Sequence, residues 1–229
     1  MVVLTILSVI VSTAVGFKWL SPFLHVAAVF PSFGAAMRAR RHRLALALAV
    51  RWAVAVFATT VVVGVFVPDQ VGRSVVFAYA SVTGISQWLN TPGAPPPADY
   101  AYLLWGIAVF LAGALLSGGA VAFVVASVAL GNAAFGVLFL LKYAFNIVQI
   151  ALVAIPPWQA SILGAALLML VPASLPFYER VVRTGPETSD RRVVRGLMYA
   201  GAVLVVASLL LRVAVAGPWH TVLREWTLF

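Results

Sequence analysis

The chain has no cysteine, which excludes disulfides, thiolate metal sites and cysteine nucleophiles. Charge is scarce as well: 9% of the 229 residues are charged, and only six are acidic. Those six, Asp69, Asp99, Glu179, Glu187, Asp190 and Glu225, all fall in loops or at the ends of apolar runs. Proton- and cation-coupled transporters keep a carboxylate inside the membrane, because that group must bind and release the ion. Secondary antiport through such a carboxylate is therefore not expected from this chain. Lys18 and Lys142 are the only lysines among 15 basic residues. Asparagine and glutamine are sparse as well; a GC-rich genome produces this pattern, and a hot habitat selects for few thermolabile residues.

What the chain has in abundance is apolar residues: 63% are hydrophobic, with a mean hydropathy of +1.07. Soluble domains hold roughly 45–50% apolar and about 25% charged residues, so this composition belongs to a bilayer. A spanning helix needs about 20 apolar residues, and several such runs occur. The expected fold class is all-α, a polytopic transmembrane helical bundle forming one integral membrane domain over residues 1–229. A β-barrel is excluded, because its strands alternate apolar and polar residues whereas these runs are apolar all round. The start, MVVLTILSVIVSTAVG, has the length of a signal peptide but no basic leading region, and is read as the first span.

Six spans are expected, near 2–20, 44–67, 101–129, 133–155, 159–178 and 197–216. The segment 23–37 is interrupted by Pro31 and Gly34 and reads as an interfacial or re-entrant helix, with a short span as the alternative. Residues 73–90 are polar enough for a surface or re-entrant segment, and TPGAPPPAD, 91–99, is a stiff extended loop. The turn between the third and fourth spans is placed at Gly131-Asn132, with Ser117-Gly118-Gly119 as its rival. Gly217-Pro218 is expected to close the last span.

The net charge of +9 is concentrated in two clusters. RARRHR supplies Arg38, Arg40, Arg41 and Arg43, and the loop 179–196 supplies Arg180, Arg183, Arg191, Arg192 and Arg195. The positive-inside rule places both clusters in the cytoplasm of a cell-membrane protein, and six spans then put both termini outside. The motif RVVR, at 180–183 and again at 192–195, reads as two matching helix ends at headgroup depth. Anionic lipids are the expected contact there, at about 1 kcal/mol per basic residue. No soluble basic domain exists to hold a nucleic acid. Trp19, Trp105, Trp158 and Trp219 lie near span ends, where amphipathic rings favour the interface.

The charges within the runs are all basic: Arg51, Lys142 and Arg212. Arg212 lies near the end of its span and snorkels. Arg51 is deeper, and Lys142 lies mid-span, where a cation costs a few kcal/mol and must face protein or water. Asn146 and Gln149 follow Lys142 at i+4 and i+7, about 40° and 20° away around a helix. The stripe reads either as polar glue between helices or as the lining of a path for an anion, joined by Arg51. His25, His42 and His220 are read as interfacial and too scattered for bis-histidine haem ligation. The chain holds no H-E-x-x-H, no G-x-S-x-G and no glycine-rich phosphate loop. No catalytic residue, metal site or cofactor is expected. Two functional classes stay open. One is a permease or channel-like transport component, and the other is a non-catalytic subunit of a larger membrane complex or homo-oligomer.

Overall fold

The computed structural model describes residues 1–17, 19–75, 100–143, 157–181 and 191–227. Within them the regular elements are all helices: α1 (Val2–Val15), α2 (Leu20–Arg38), α3 (His42–Phe66), α4 (Pro68–Val75), α5 (Tyr100–Ser117), α6 (Ala120–Tyr143), α7 (Pro157–Arg180) and α8 (Arg191–Thr227). Four stretches are long and apolar enough to cross a membrane: Leu20–Arg38, His42–Phe66, Pro157–Arg180 and Arg191–Trp219. Val2–Val15, Trp105–Ser117 and Ala120–Phe135 are shorter apolar helices. The molecule is a helical bundle with four membrane-length helices among the described residues, where six spans were expected.

Its surface explains why such a sequence folds this way. On α1 the residues Val3, Leu4, Leu7, Ile10, Val11 and Val15 face outward, while Thr5, Ser8, Ser12 and Thr13 are buried. In water that arrangement is inverted; in lipid it costs nothing, because acyl chains solvate the aliphatic face and small residues let helices approach. The buried hydroxyls are largely satisfied within the helix. Thr5 donates to the Met1 carbonyl at 3.2 Å, Ser8 to Thr5 at 2.7 Å and Ser12 to Val9 at 3.0 Å.

Three expectations are corrected. The segment 23–37 lies within the membrane-length helix α2, not in an interfacial one. Pro31 sits inside it, as membrane helices tolerate when neighbours cover the freed carbonyl. Gly34 is a point of close approach: a Cβ there would lie 3.1 Å from the Tyr178 hydroxyl. Second, the turn is at 117–119, and α6 runs uninterrupted through Gly131 and Asn132. Gly118 and Gly119 have φ of 62° and 104°, values that disfavour any residue with a Cβ. Ser117 closes the turn by donating to the Gly113 carbonyl at 2.6 Å and accepting the Val121 N–H at 2.9 Å. Third, α8 passes through Gly217-Pro218 to Thr227. At 37 residues it is about 55 Å long.

Contacts set the helix directions. The Tyr178 hydroxyl donates to the Gly118 carbonyl at 3.1 Å, which joins the end of α7 to the α5–α6 turn and, through Gly34, to the end of α2. Arg38, Arg40, Arg41 and Arg43 therefore gather at one end of the bundle with Arg180, Arg191, Arg192 and Arg195. Arg183 lies outside the described residues. At the opposite end α4 docks through Val71 and Gly72 against Leu138 and Phe135 of α6. Asp69, Gln70 and Arg73 on α4 remain exposed. Helices α7 and α8 are antiparallel. Gly201 abuts Met169, a Cβ on Gly164 would lie 3.4 Å from Leu204, and Ser208 donates to the Trp158 carbonyl at 2.8 Å. The core between α2, α3 and α6 is aromatic, with Phe123 edge-on to Phe33 and Trp52 at centroid separations of 5.0 and 4.9 Å. Residues 76–99, including the proline-rich loop, lie outside the described residues.

Candidate functional site

Polar side chains in this interior meet around one histidine. His25 of α2 is 1% exposed. Its Nδ1 lies 2.6 Å from the Ser127 hydroxyl of α6, and its Nε2 lies 3.4 Å from the Ser21 hydroxyl one turn earlier. The Trp52 indole of α3 donates to the His25 carbonyl at 3.0 Å, so three helices converge on this one residue. Ser21 and Ser127 are themselves buried.

The local sequence accounts for the arrangement. Ser21 and His25 are four apart and so share a face of α2. Because α6 starts at the Gly118-Gly119 turn, level with Phe33, its Ser127 comes two turns later opposite His25. A Cβ on Gly119 would lie 3.1 Å from the Phe33 ring, which fixes that level. A neutral imidazole donates through one nitrogen and accepts at the other. With a hydroxyl beside each nitrogen, both needs are met inside the bundle. Hydroxyl, imidazole and hydroxyl in series form a short polar relay between α2 and α6. The sequence carried one signal for it, the Ser21–His25 spacing, but reading 23–37 as interfacial left His25 at the surface. In the structure it is an interior residue.

On the far side of Trp52 and Phe123 lies an apolar cavity of about 190 Å³ between α3, α5, α6 and α7. Phe110, Ala126, Leu163 and Leu170 complete much of its wall. Apolar cavities of this kind stay dry, so this one adds no hydrophilic route to the His25 cluster.

The residues singled out from the sequence are distributed differently. Lys142 belongs to the last turn of α6, with its side chain outside the described residues, as are Asn146 and Gln149. Arg51 lies on an exposed face of α3 and is separate from His25. It borders a groove with Arg43, Leu46 and Val50, closed on the other side by Val193 and Leu197 of α8. Arg212 does not snorkel from a helix end: it is 6% exposed, and α8 continues beyond it to Thr227. Trp19 and Trp105 are exposed, but Trp158 is buried against α8. Arg38 donates from Nε to the Gly34 carbonyl at 3.3 Å, while Arg41, Arg180, Arg191, Arg192 and Arg195 are exposed. Among the described residues, no three His, Asp or Glu side chains come together to hold a metal ion. No protein-family model, curated protein or solved structure matches this chain.

Proposed function

We propose that the chain is a multi-pass membrane transport component, permease- or channel-like, that works without a carboxylate at mid-depth. The observation that supports this reading is the buried relay of Ser21, His25 and Ser127 across α2 and α6. An ionisable side chain inside a membrane bundle is costly, and function is the usual reason for keeping one. Lys142, Asn146 and Gln149, one polar stripe by their spacing in the sequence, would supply a second polar stretch, and their chemistry suits an anion. The basic clusters face the cytoplasm in this reading. With α2 crossing the membrane, the N-terminus falls on the cytoplasmic side and the C-terminus outside.

The test is flux of small anions into liposomes carrying the purified protein. His25→Gln retains a hydrogen-bonding amide, and Lys142→Leu removes the cation in the last turn of α6. Loss of flux in either variant, with thermal stability kept, supports a path. Full flux in both makes these residues helix-packing contacts.

A second reading, that of a non-catalytic subunit in a membrane complex, draws on α8. Packed chiefly against α7, it leaves Met198, Tyr199, Val203, Val206, Leu210 and Val213 exposed along one side. The native mass of mildly extracted protein separates the readings. A stoichiometric partner with intramembrane carboxylates favours the subunit, and a monomer or homo-oligomer favours the permease.

A further inference from the structure

The groove between α3 and α8 combines features that a purely lipid-facing or a purely aqueous surface lacks. It measures about 470 Å³ and is lined by Arg43, Leu46, Ala47, Val50 and Arg51 on one side and Val193 and Leu197 on the other. Five of these seven residues are aliphatic, and the two that are not are both arginines. Arg51 lies nine residues into a membrane-length helix, about 13 Å from its start. A guanidinium at that depth costs a few kcal/mol unless an anion or water reaches it. No ion pair between a carboxylate and Arg51 or Arg43 occurs among the described residues, so both guanidiniums are open to an anion from the surroundings.

Arg43 and Arg51 are eight residues apart on α3, about 12 Å along its axis, and both line the groove. Every Cα–Cβ bond tilts toward the helix N-terminus, so the Arg51 side chain leads back down α3 toward Arg43. The residues between them on this face, Leu46, Ala47 and Val50, are apolar. Across the groove, Val193 and Leu197 are one turn apart on α8, flanked by the exposed Arg191, Arg192 and Arg195. Arg43, Arg191, Arg192 and Arg195 thus lie at the mouth, Arg51 lies deeper, and aliphatic surface lines the groove between them. Guanidinium forks match phosphate oxygens in geometry and charge. A free phosphate would leave the aliphatic walls unused, whereas a phospholipid would use both.

We propose that this groove is a binding site for one anionic phospholipid. Its phosphodiester is held between Arg43 and Arg51, and its first acyl methylenes lie against Leu46, Val50, Val193 and Leu197. Arg51 is then a lipid ligand and not part of a transport path. The site is independent of the His25 relay and of any transport activity.

The experiment is native mass spectrometry of the full chain released from nanodiscs of phosphatidylglycerol mixed with phosphatidylcholine. The intact protein is expected to retain one phosphatidylglycerol in preference to phosphatidylcholine. Arg43→Gln/Arg51→Gln should lower that retention about thirtyfold, taking about 1 kcal/mol for each basic residue. Arg73→Gln, at the opposite end on α4, should leave it unchanged. Val193→Trp, which fills the groove and keeps both arginines, should also lose the lipid. It decides the matter if the double variant does not accumulate. Equal retention of the two lipids, unaltered retention in the groove variants, or full displacement by inorganic phosphate alone would overturn the proposal.

Discussion

At the scale of single residues, the costly positions are those where a polar or left-handed group is held inside the bundle. Ser127→Ala removes the hydroxyl beside His25 Nδ1 and leaves a buried ring nitrogen without that partner. Hydrogen bonds between membrane helices average about 0.6 kcal/mol and reach about 1.7. A buried polar atom left unmet adds to that. A destabilisation of about 1–2 kcal/mol is expected, measured as a lower unfolding temperature in detergent. Gly118→Ala should cost more than Ser127→Ala. It forces a Cβ onto φ of 62°, worth about 1–2 kcal/mol alone, and places it 2.5 Å from the Phe177 ring. If the alanine variant unfolded at the wild-type temperature, the α5–α6 turn would not be as described.

Between elements, association rests on small residues and on a few side chains that reach a neighbour's backbone. The α7–α8 pair is the clearest case. Gly201 lies directly under Met169, and its missing Cβ would also stand 3.3 Å from the Ala165 carbonyl. Gly201→Leu is therefore expected to part the two helices and lower the unfolding temperature in detergent, with helical content by circular dichroism little changed. Ser208→Ala, which removes one bond to the Trp158 carbonyl, should have the same direction and a smaller effect. Gly201→Ala should destabilise the pair in the same direction, and adding Met169→Ala should restore much of that loss, because truncating the thioether makes room for the new methyl. That double variant distinguishes a steric cause from a change in helix propensity.

For the whole molecule, the decisive property is sidedness. The contacts among Gly34, Gly118 and Tyr178 place the basic helix ends together, and the α4–α6 contacts define the opposite end. Because the natural chain has no cysteine, single cysteines report without background. Ala39→Cys and Val181→Cys, both at exposed positions, should react with an impermeant maleimide from one side of sealed vesicles. Gln70→Cys should react only from the other. Labelling of Gln70→Cys and Ala39→Cys from the same face would contradict the helix directions described above.

The sequence by itself determined the solvent. Its low charge, its uniform apolar runs and the placement of every acid outside them require a helical membrane bundle. Three of the four membrane-length helices coincide with runs recognisable by hydropathy alone, since a bilayer demands about 20 apolar residues whatever the neighbours are. Only the tertiary structure decided where helices end and which side chains lie inside. Pro31, Gly34, Gly131 and Pro218 look alike as helix breakers in one dimension. Contacts made by distant residues distinguish them from the true turn at Gly118 and Gly119. His25 was legible only as a histidine near a serine. Its role as the meeting point of α2, α3 and α6 depends on Ser127, 102 residues away in the chain, and on the indole of Trp52. Burial within a membrane is set by neighbouring helices and not by residue type, because lipid and protein interior are equally apolar. Hydropathy therefore locates the helices but is blind to the faces they turn toward one another.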